Sequence, residues 1–61
     1  MQLKKFRQSQ NLTVKEMAER LEVTESHYYK MEEGYKKPSY ELLTRFKQQF
    51  REVLIDDVFF K

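Results

Sequence analysis

Few side chains in this sequence are placed for catalysis or for metal binding. His27 is the only histidine and cysteine is absent, which leaves no plausible zinc site and no thiol nucleophile. No set of nucleophile and acid surrounds His27, which we interpret as an exposed helix residue. Asp56 and Asp57 fit the start of a helix better than a general acid and base, and Ser39 fits a helix cap. These residues argue against an enzyme and predict no cofactor, no metal and no small-molecule substrate.

Length and composition restrict the class of protein further. The chain has 61 residues, of which 36% are charged and 39% hydrophobic. A chain of this length forms one domain, here 1–61, with a small core. One glycine and one proline argue against an all-β or low-complexity chain. The sequence has no apolar run that could span a membrane and no signal peptide, so we expect no membrane partner and a cytoplasmic location.

The charge is distributed in blocks along the chain. The formal total is only +2, but residues 1–15 carry +4 and residues 16–33 carry −4. Residues 34–51 carry +4 again, and residues 52–61 carry −2. Solvated helix faces explain such blocks by themselves, and two basic blocks also fit contacts to phosphate.

Start and stop signals divide the chain into short helices. Thr13 and Glu16 form the pattern of a capping box, and Thr24 and Ser39 are placed as caps of the following helices. Gly34, the sole glycine, suits the left-handed position after a helix. These signals and the apolar spacing predict five helices, over 2–10, from Thr13 to about Leu21, and over 25–33, 40–50 and 55–60.

The apolar residues of these helices predict a compact all-α bundle with a single core. Tyr28 and Tyr29 are adjacent, so one ring points inward and one outward, and we expect Tyr28 to be the buried one. The predicted inner positions include Leu3, Phe6, Met17, Ala18, Leu21, Val23, Tyr28, Met31, Leu42, Leu43, Phe46 and Phe50.

The segment 13–33, helix–break–helix, resembles the Cro/CI-type (XRE, lambda-repressor-like) helix-turn-helix proteins. The ordered set of matching residues extends over about residues 3–60, closing with Ile55–Phe59 as the family's last short helix. The matching residues are Leu12-Thr13, Glu16-Met17-Ala18, Leu21, Val23-Thr24, Met31-Glu32, Gly34 and Lys37-Pro38-Ser39. The resemblance implies a second helix that enters the major groove of DNA with its N-terminus first.

The resemblance also implies which residues face the bases. The recognition helix would present Glu25, Ser26, Tyr29 and Lys30 to base edges. A lysine can donate to guanine, a glutamate can accept from cytosine N4, and a serine can pair with either.

Phosphate contacts follow from the same resemblance. Thr13 and Lys15 would face the DNA backbone from the start of the second helix, and His27 would lie near a phosphate. Lys36 and Lys37 would contact phosphate from the loop after the recognition helix. In this family an arginine of the first helix pairs with the glutamate before the helix-end glycine. Arg7 and Glu32 occupy these positions here. We expect this pair to be partly buried and structural.

The sequence departs from the family pattern at three places. Glu22 stands where the family usually has glycine, and a left-handed Glu22 would be strained by about 1–2 kcal/mol. Val14 replaces a glutamine that often helps to hold phosphate. The acidic block lies across the motif, where residues 14–33 sum to −3 and weaken non-specific attraction to DNA.

A homodimer is expected because helix-turn-helix proteins commonly bind DNA as two-fold dimers. A terminal turn can bury one of its two phenylalanines but hardly both, and an exposed one favours a partner surface. The predicted interface consists of Leu54, Ile55, Val58, Phe59 and Phe60.

Two functions remain open from the sequence. The preferred one is a transcriptional regulator, a repressor of phage or mobile-element type, which binds a double-stranded DNA operator in a sequence-specific manner through 25–33. The alternative is a protein–protein interaction module on the same scaffold. It would use the acidic recognition helix or the surface at Phe59 and Phe60.

Overall fold

Five α-helices account for the regular secondary structure of the computed structural model, which describes residues 2–60. No strand is present in this part of the chain. Each helix begins and ends within about one residue of its predicted bounds, and the predicted all-α fold is confirmed. The helices are α1 Leu3–Ser9, α2 Val14–Leu21, α3 Glu25–Glu32, α4 Tyr40–Gln49 and α5 Ile55–Phe59.

Side-chain caps fix the starts of α2, α3 and α4. The Thr13 hydroxyl accepts a hydrogen bond from the Glu16 backbone N–H at 3.1 Å, and the Glu16 carboxylate accepts from the Thr13 backbone N–H at 2.9 Å. This is the predicted capping box, which satisfies two backbone donors at once. The hydroxyls of Thr24 and Ser39 accept from the backbone three residues further on, each at 3.1 Å. All three predicted caps are confirmed.

The ends of α1, α2 and α3 share one backbone motif. A left-handed residue follows each helix: Asn11 with φ 57°, Glu22 with φ 59° and Gly34 with φ 86°. At each end the left-handed residue and the one after it donate back to carbonyls of the last turn, in the pattern of a Schellman motif. The expected left-handed conformation of Glu22 is therefore present, and a residue with a Cβ carries it.

The core lies where the inner faces of all five helices meet. Helix α2 packs against α3 and α4, and α1 packs against α5. The Gln2 backbone N–H donates to the Val58 carbonyl at 2.7 Å, which joins the two ends of the chain. The buried apolar residues are Leu3, Met17, Ala18, Leu21, Tyr28, Met31, Leu42, Phe46, Val58 and Phe59.

An aromatic cluster joins α1, α4 and α5 within this core. The rings of Phe46 and Phe59 meet edge to face with centroids 5.0 Å apart, and Phe6 and Phe50 meet in the same way at the same distance. Edge-to-face pairs of this kind are favourable beyond the area that they bury. The cluster therefore anchors the short helix α5, which five residues could not stabilise by themselves.

The position of α5 corrects the predicted dimer interface. Val58 and Phe59 are only 3% and 4% exposed, because they close the core of this chain. They have almost no surface left for a second subunit, and we remove them from the interface. Leu54 and Phe60 are each 63% exposed, and Ile55 is half-buried.

Candidate nucleic-acid interface

One face of α3 is polar and open to solvent. Glu25, Ser26, Tyr29 and Lys30 are all exposed and recur at the spacing of adjacent helical turns. Tyr28, on the opposite face, is fully buried, whereas the ring of Tyr29 is 53% exposed. The predicted division of the two tyrosines is confirmed. The structure therefore brings the four predicted base-contacting side chains onto one accessible surface.

Glu33 extends this face but is not among the predicted contact residues. It follows the last residue of α3, keeps a helical backbone with φ −84° and ψ −2°, and is exposed. Its spacing of four residues from Tyr29 and three from Lys30 places it between them on the helix surface. That spacing is the sequence signal that could have identified it.

The start of α2 offers backbone donors beside a lysine. The capping box takes up the N–H groups of Thr13 and Glu16, whereas those of Val14 and Lys15 lie in the first turn and have no acceptor within the helix. Thr13 and Lys15 are exposed and Val14 is half-buried. Free N–H groups at a helix start, next to a lysine, form a suitable cradle for a phosphate oxygen.

Glu16 limits the positive potential of that helix start. Hydrogen bonds from Thr13, first from its backbone and then from its side chain, lower the pKa of Glu16 below its usual 4.5. The carboxylate is therefore ionised at neutral pH, and it lies in the first turn of α2. The same carboxylate accepts the hydrogen bond of the capping box from the Thr13 backbone N–H.

The loop after α3 presents two lysines. The backbone N–H of Tyr35 donates to the Lys30 carbonyl at 2.8 Å and that of Gly34 to the Met31 carbonyl at 3.1 Å, which turns the chain sharply away from the helix. Lys36 and Lys37 follow and are both exposed. His27, in the first turn of α3, is half-buried and not exposed as predicted, because part of its surface is covered by the domain. The five predicted phosphate-contacting residues thus come from α2, α3 and this loop.

An ion pair locks the end of α3 to α1. The Arg7 Nε donates to a Glu32 carboxylate oxygen at 2.6 Å, with a second, longer contact of 3.5 Å from Nη2. The Arg7 Nη1 also donates to the Leu12 carbonyl at 2.9 Å. The side chains of Arg7 and Glu32 are only 13% and 2% exposed. The hydrogen bond to Glu32 raises the pKa of the already basic guanidinium.

The hydroxyl of Tyr28 lies within the electrostatic range of this pair but is not hydrogen-bonded to it. It is buried, and no group within residues 2–60 completes a hydrogen bond with it. Burial, followed by the effect of the Glu32 carboxylate, raises the pKa of Tyr28 well above its usual 10.0. The phenol is therefore neutral at physiological pH. The sequence gives no signal for this arrangement, because it depends on how α1 and α3 pack.

Arg45 of α4 contacts the turn between α2 and α3 and was not predicted from the sequence. Its guanidinium lies 3.5 Å from the Leu21 carbonyl at the end of α2 and 3.5 Å from the Glu22 carboxylate. A third contact of 3.5 Å joins it to Glu41, one helical turn earlier. The spacing of Glu41 and Arg45 is a sequence signal for that last contact only.

Half of the six carboxylates in the acidic block thus have structural partners. Glu16 is held in a cap, Glu22 pairs with Arg45, and Glu32 pairs with Arg7. The motif is consequently less repulsive toward phosphate than its formal charge indicates. The carboxylates of Glu25 and Glu33 remain on the polar face of α3.

Helices α2 and α3 are joined by a tight turn with the left-handed residue Glu22, and α3 has an exposed polar face with basic residues on both sides. These features define a helix-turn-helix DNA-binding domain. The Helix-turn-helix family model (HTH_3) matches residues 3–51. The chain belongs to this Cro/CI-type (XRE) helix-turn-helix family.

Membership of the family settles the general function. The family is non-enzymatic, and its domain implies sequence-specific DNA binding, typically by a transcriptional regulator. Searches of curated proteins and of solved structures return no match to the chain. Within residues 2–60, no His, Cys, Asp or Glu residues are grouped as metal ligands, and no helix has the length and apolarity needed to cross a membrane.

Proposed function

We propose that this protein is a transcriptional repressor that binds a specific double-stranded DNA operator as a homodimer, of the type found in phages and mobile elements. The observation that carries the proposal is the exposed polar face of α3, held rigidly by the buried pair of Arg7 and Glu32. We place the repressor with its DNA in the cytoplasm. Occupying an operator is sufficient to block transcription, and it needs no catalytic group.

Base recognition is assigned to four residues of α3. Lys30 donates to O6 or N7 of guanine, and Glu25 accepts from N4 of cytosine. Ser26 pairs with either type of base edge, and the exposed ring of Tyr29 contacts a neighbouring base. Exposure on a single helix face supports this assignment, because a helix in the major groove reaches base edges from one side only.

Phosphate contacts fix the position of α3 in the groove. Thr13 and Lys15 hold one phosphate at the start of α2, and Lys36 and Lys37 hold others from the loop. His27 contacts a phosphate from the first turn of α3. These contacts supply affinity and register, whereas the base contacts supply specificity.

The dimer is assigned to Leu54 and Phe60, because Ile55, which was also predicted there, is half-buried and packs against the core. Support comes from Leu54 and Phe60, whose exposed apolar side chains flank α5. Phe60 also lines a shallow pocket of about 400 Å³ together with Gly34, Pro38 and the loop lysines. A dimer built on this surface would bring two phosphate-contacting loops near each other. Two α3 helices could then reach half-sites about 34–36 Å apart.

Selection of bound DNA from a random pool tests the proposal. We expect a two-fold symmetric site whose half-sites are centred one helical turn apart. The salt dependence of binding tests the phosphate contacts, since Lys36→Ala should reduce the slope of log affinity against log salt by about 0.9. Arg51→Ala, which removes an exposed cation outside the proposed interface, should leave the slope unchanged. A pool without enrichment, or equal slopes for both variants, would contradict the proposal.

A second candidate is a protein–protein interaction module on the same scaffold. The carboxylates of Glu25 and Glu33 on the exposed face of α3 favour it, since they repel phosphate. Failure of the protein to bind genomic DNA at low salt would select this function.

A further inference from the structure

A shallow groove on the outer face of α4 is separate from every residue assigned to DNA. It has a volume of about 520 Å³ and extends from the start of α4 to the start of α5. Its lining includes Tyr40, Leu43 and Lys47, which recur every three or four residues on one side of α4, and it continues past the end of the helix to Arg51 and Ile55. The opposite side of α4 carries Leu42 and Phe46 into the core.

The floor of the groove is apolar and firmly held. Leu43 and Ile55 are half-buried and pack against the core, so their remaining surface is fixed in place. The ring of Tyr40 is 85% exposed at one end of the groove. An apolar surface that is both exposed and rigid costs little conformational entropy when a partner covers it.

The charged residues that line the groove are all cations. Lys47 and Arg51 lie along it, and no carboxylate takes part in the lining. The Lys47 ammonium donates to the Val53 carbonyl at 2.9 Å, which holds it at the rim. The groove therefore combines an apolar floor with a positive edge.

We propose that this groove binds an acidic amphipathic helix of another protein. Apolar residues of that helix would cover Leu43, Ile55 and the ring of Tyr40, and its carboxylates would pair with Lys47 and Arg51. This is the helix-in-groove mode, in which anchors at intervals of three and four residues fill an apolar surface. The charge of the rim selects an acidic helix over a basic one.

The other occupants fit less well. A second copy placed symmetrically on the groove would bring Lys47 and Arg51 toward the same cations of its partner, and like charges at an interface disfavour association. Nucleic acid matches the cations but not the apolar floor, because its interfaces are more polar than those between proteins.

The proposal is independent of the DNA-binding function. The residues that line the groove do not overlap with those assigned to bases or phosphates. A partner on α4 and DNA on α3 could therefore be bound together, and the domain would link an operator to a second protein. Loss of either interaction would leave the other measurable.

The test is selection of helical peptides from a random displayed library on the full chain. We expect the selected peptides to be rich in Asp and Glu beside apolar residues three and four positions apart, and to shift the NMR signals of Leu43 and Ile55. Arg51→Glu should weaken the selected peptide about 10-fold or more, as loss of a charge pair at an interface does. Tyr40→Ala should weaken it as well, and both side chains are exposed, so the fold should persist.

Lys36→Glu is the matched control, since it reverses an exposed cation on the DNA-contacting loop. It should leave peptide binding unchanged. Selected peptides without acidic enrichment, NMR shifts outside the groove, or equal effects of Arg51→Glu and Lys36→Glu would overturn the proposal. It would also be overturned if Tyr40→Ala abolished self-association or DNA binding, because the groove would then be occupied by a second copy or by nucleic acid.

Discussion

Removing the carboxylate of Glu32 should unfold a large fraction of this domain. The side chain is only 2% exposed and accepts a hydrogen bond from the Arg7 Nε at 2.6 Å. In Glu32→Ala the guanidinium, itself 13% exposed, would keep its charge and lose its counter-ion. Breaking a buried pair in this way costs about 3–5 kcal/mol, because it leaves an uncompensated charge.

The expected loss is comparable with the total stability of so small a domain. At about 0.05–0.15 kcal/mol per residue, a chain of this length has a free energy of unfolding of roughly 3–9 kcal/mol. Each kcal/mol corresponds to about 4–8 °C in Tm for domains of this size. Glu32→Ala should therefore lower the Tm by well over 10 °C or leave the chain unfolded at room temperature.

Urea unfolding followed by circular dichroism at 222 nm measures this loss. Glu33→Ala is the matched control, since it removes an exposed neighbouring carboxylate and should change stability by less than about 0.5 kcal/mol. The double variant Arg7→Met with Glu32→Leu should recover much of the loss, because replacing both charges removes the desolvation penalty. If Glu32→Ala and Glu33→Ala unfold at the same urea concentration, the argument is refuted.

Three further predictions concern the turn, the cap and the buried phenol. Glu22→Gly should raise the free energy of unfolding by about 1 kcal/mol, because glycine adopts φ 59° without strain. Glu22→Ala is the control, since it loses the same contact with Arg45, and it should not raise the Tm in thermal unfolding. The pKa of Glu16 is lowered in the folded chain, so its contribution is present above about pH 4.5 and is lost as the pH falls through the lower folded value. The stability gap between the wild type and Glu16→Gln should therefore shrink in urea titrations as the pH falls below about 4.5, and a constant gap would exclude this linkage. Tyr28→Phe should leave the free energy of unfolding unchanged or raise it, because the buried hydroxyl has no hydrogen-bond partner within residues 2–60. A loss of stability above about 1 kcal/mol would contradict this reasoning.

Local chemistry made much of the fold predictable from the sequence. Thr13, Thr24 and Ser39 cap the helices where their types and spacing indicate, because a cap involves only the next three residues. Gly34 marks the end of α3 for the same reason. The left-handed Glu22 could be expected only through the family resemblance, since its side chain gives no such signal.

Features that depend on packing between distant helices could not be predicted in this way. Arg45 meets the end of α2 from 24 residues away, and nothing near it in the sequence indicates that contact. Val58 and Phe59 fit an interface as well as a core by their types alone. Only the position of α5 against Phe46 decides that they are buried within this chain.

The acidic charge of the motif bears on specificity more than on affinity. Glu22 and Glu32 are balanced by arginines from α4 and α1, so they add little to the field that phosphates meet. No arginine or lysine of the described residues 2–60 pairs with Glu25 or Glu33, and both lie on the face of α3 that we assign to bases. A carboxylate there repels the backbone of any DNA, and only a base edge that donates to it, such as cytosine N4, offsets that cost. The same two residues would thus weaken non-specific binding more than binding to the operator.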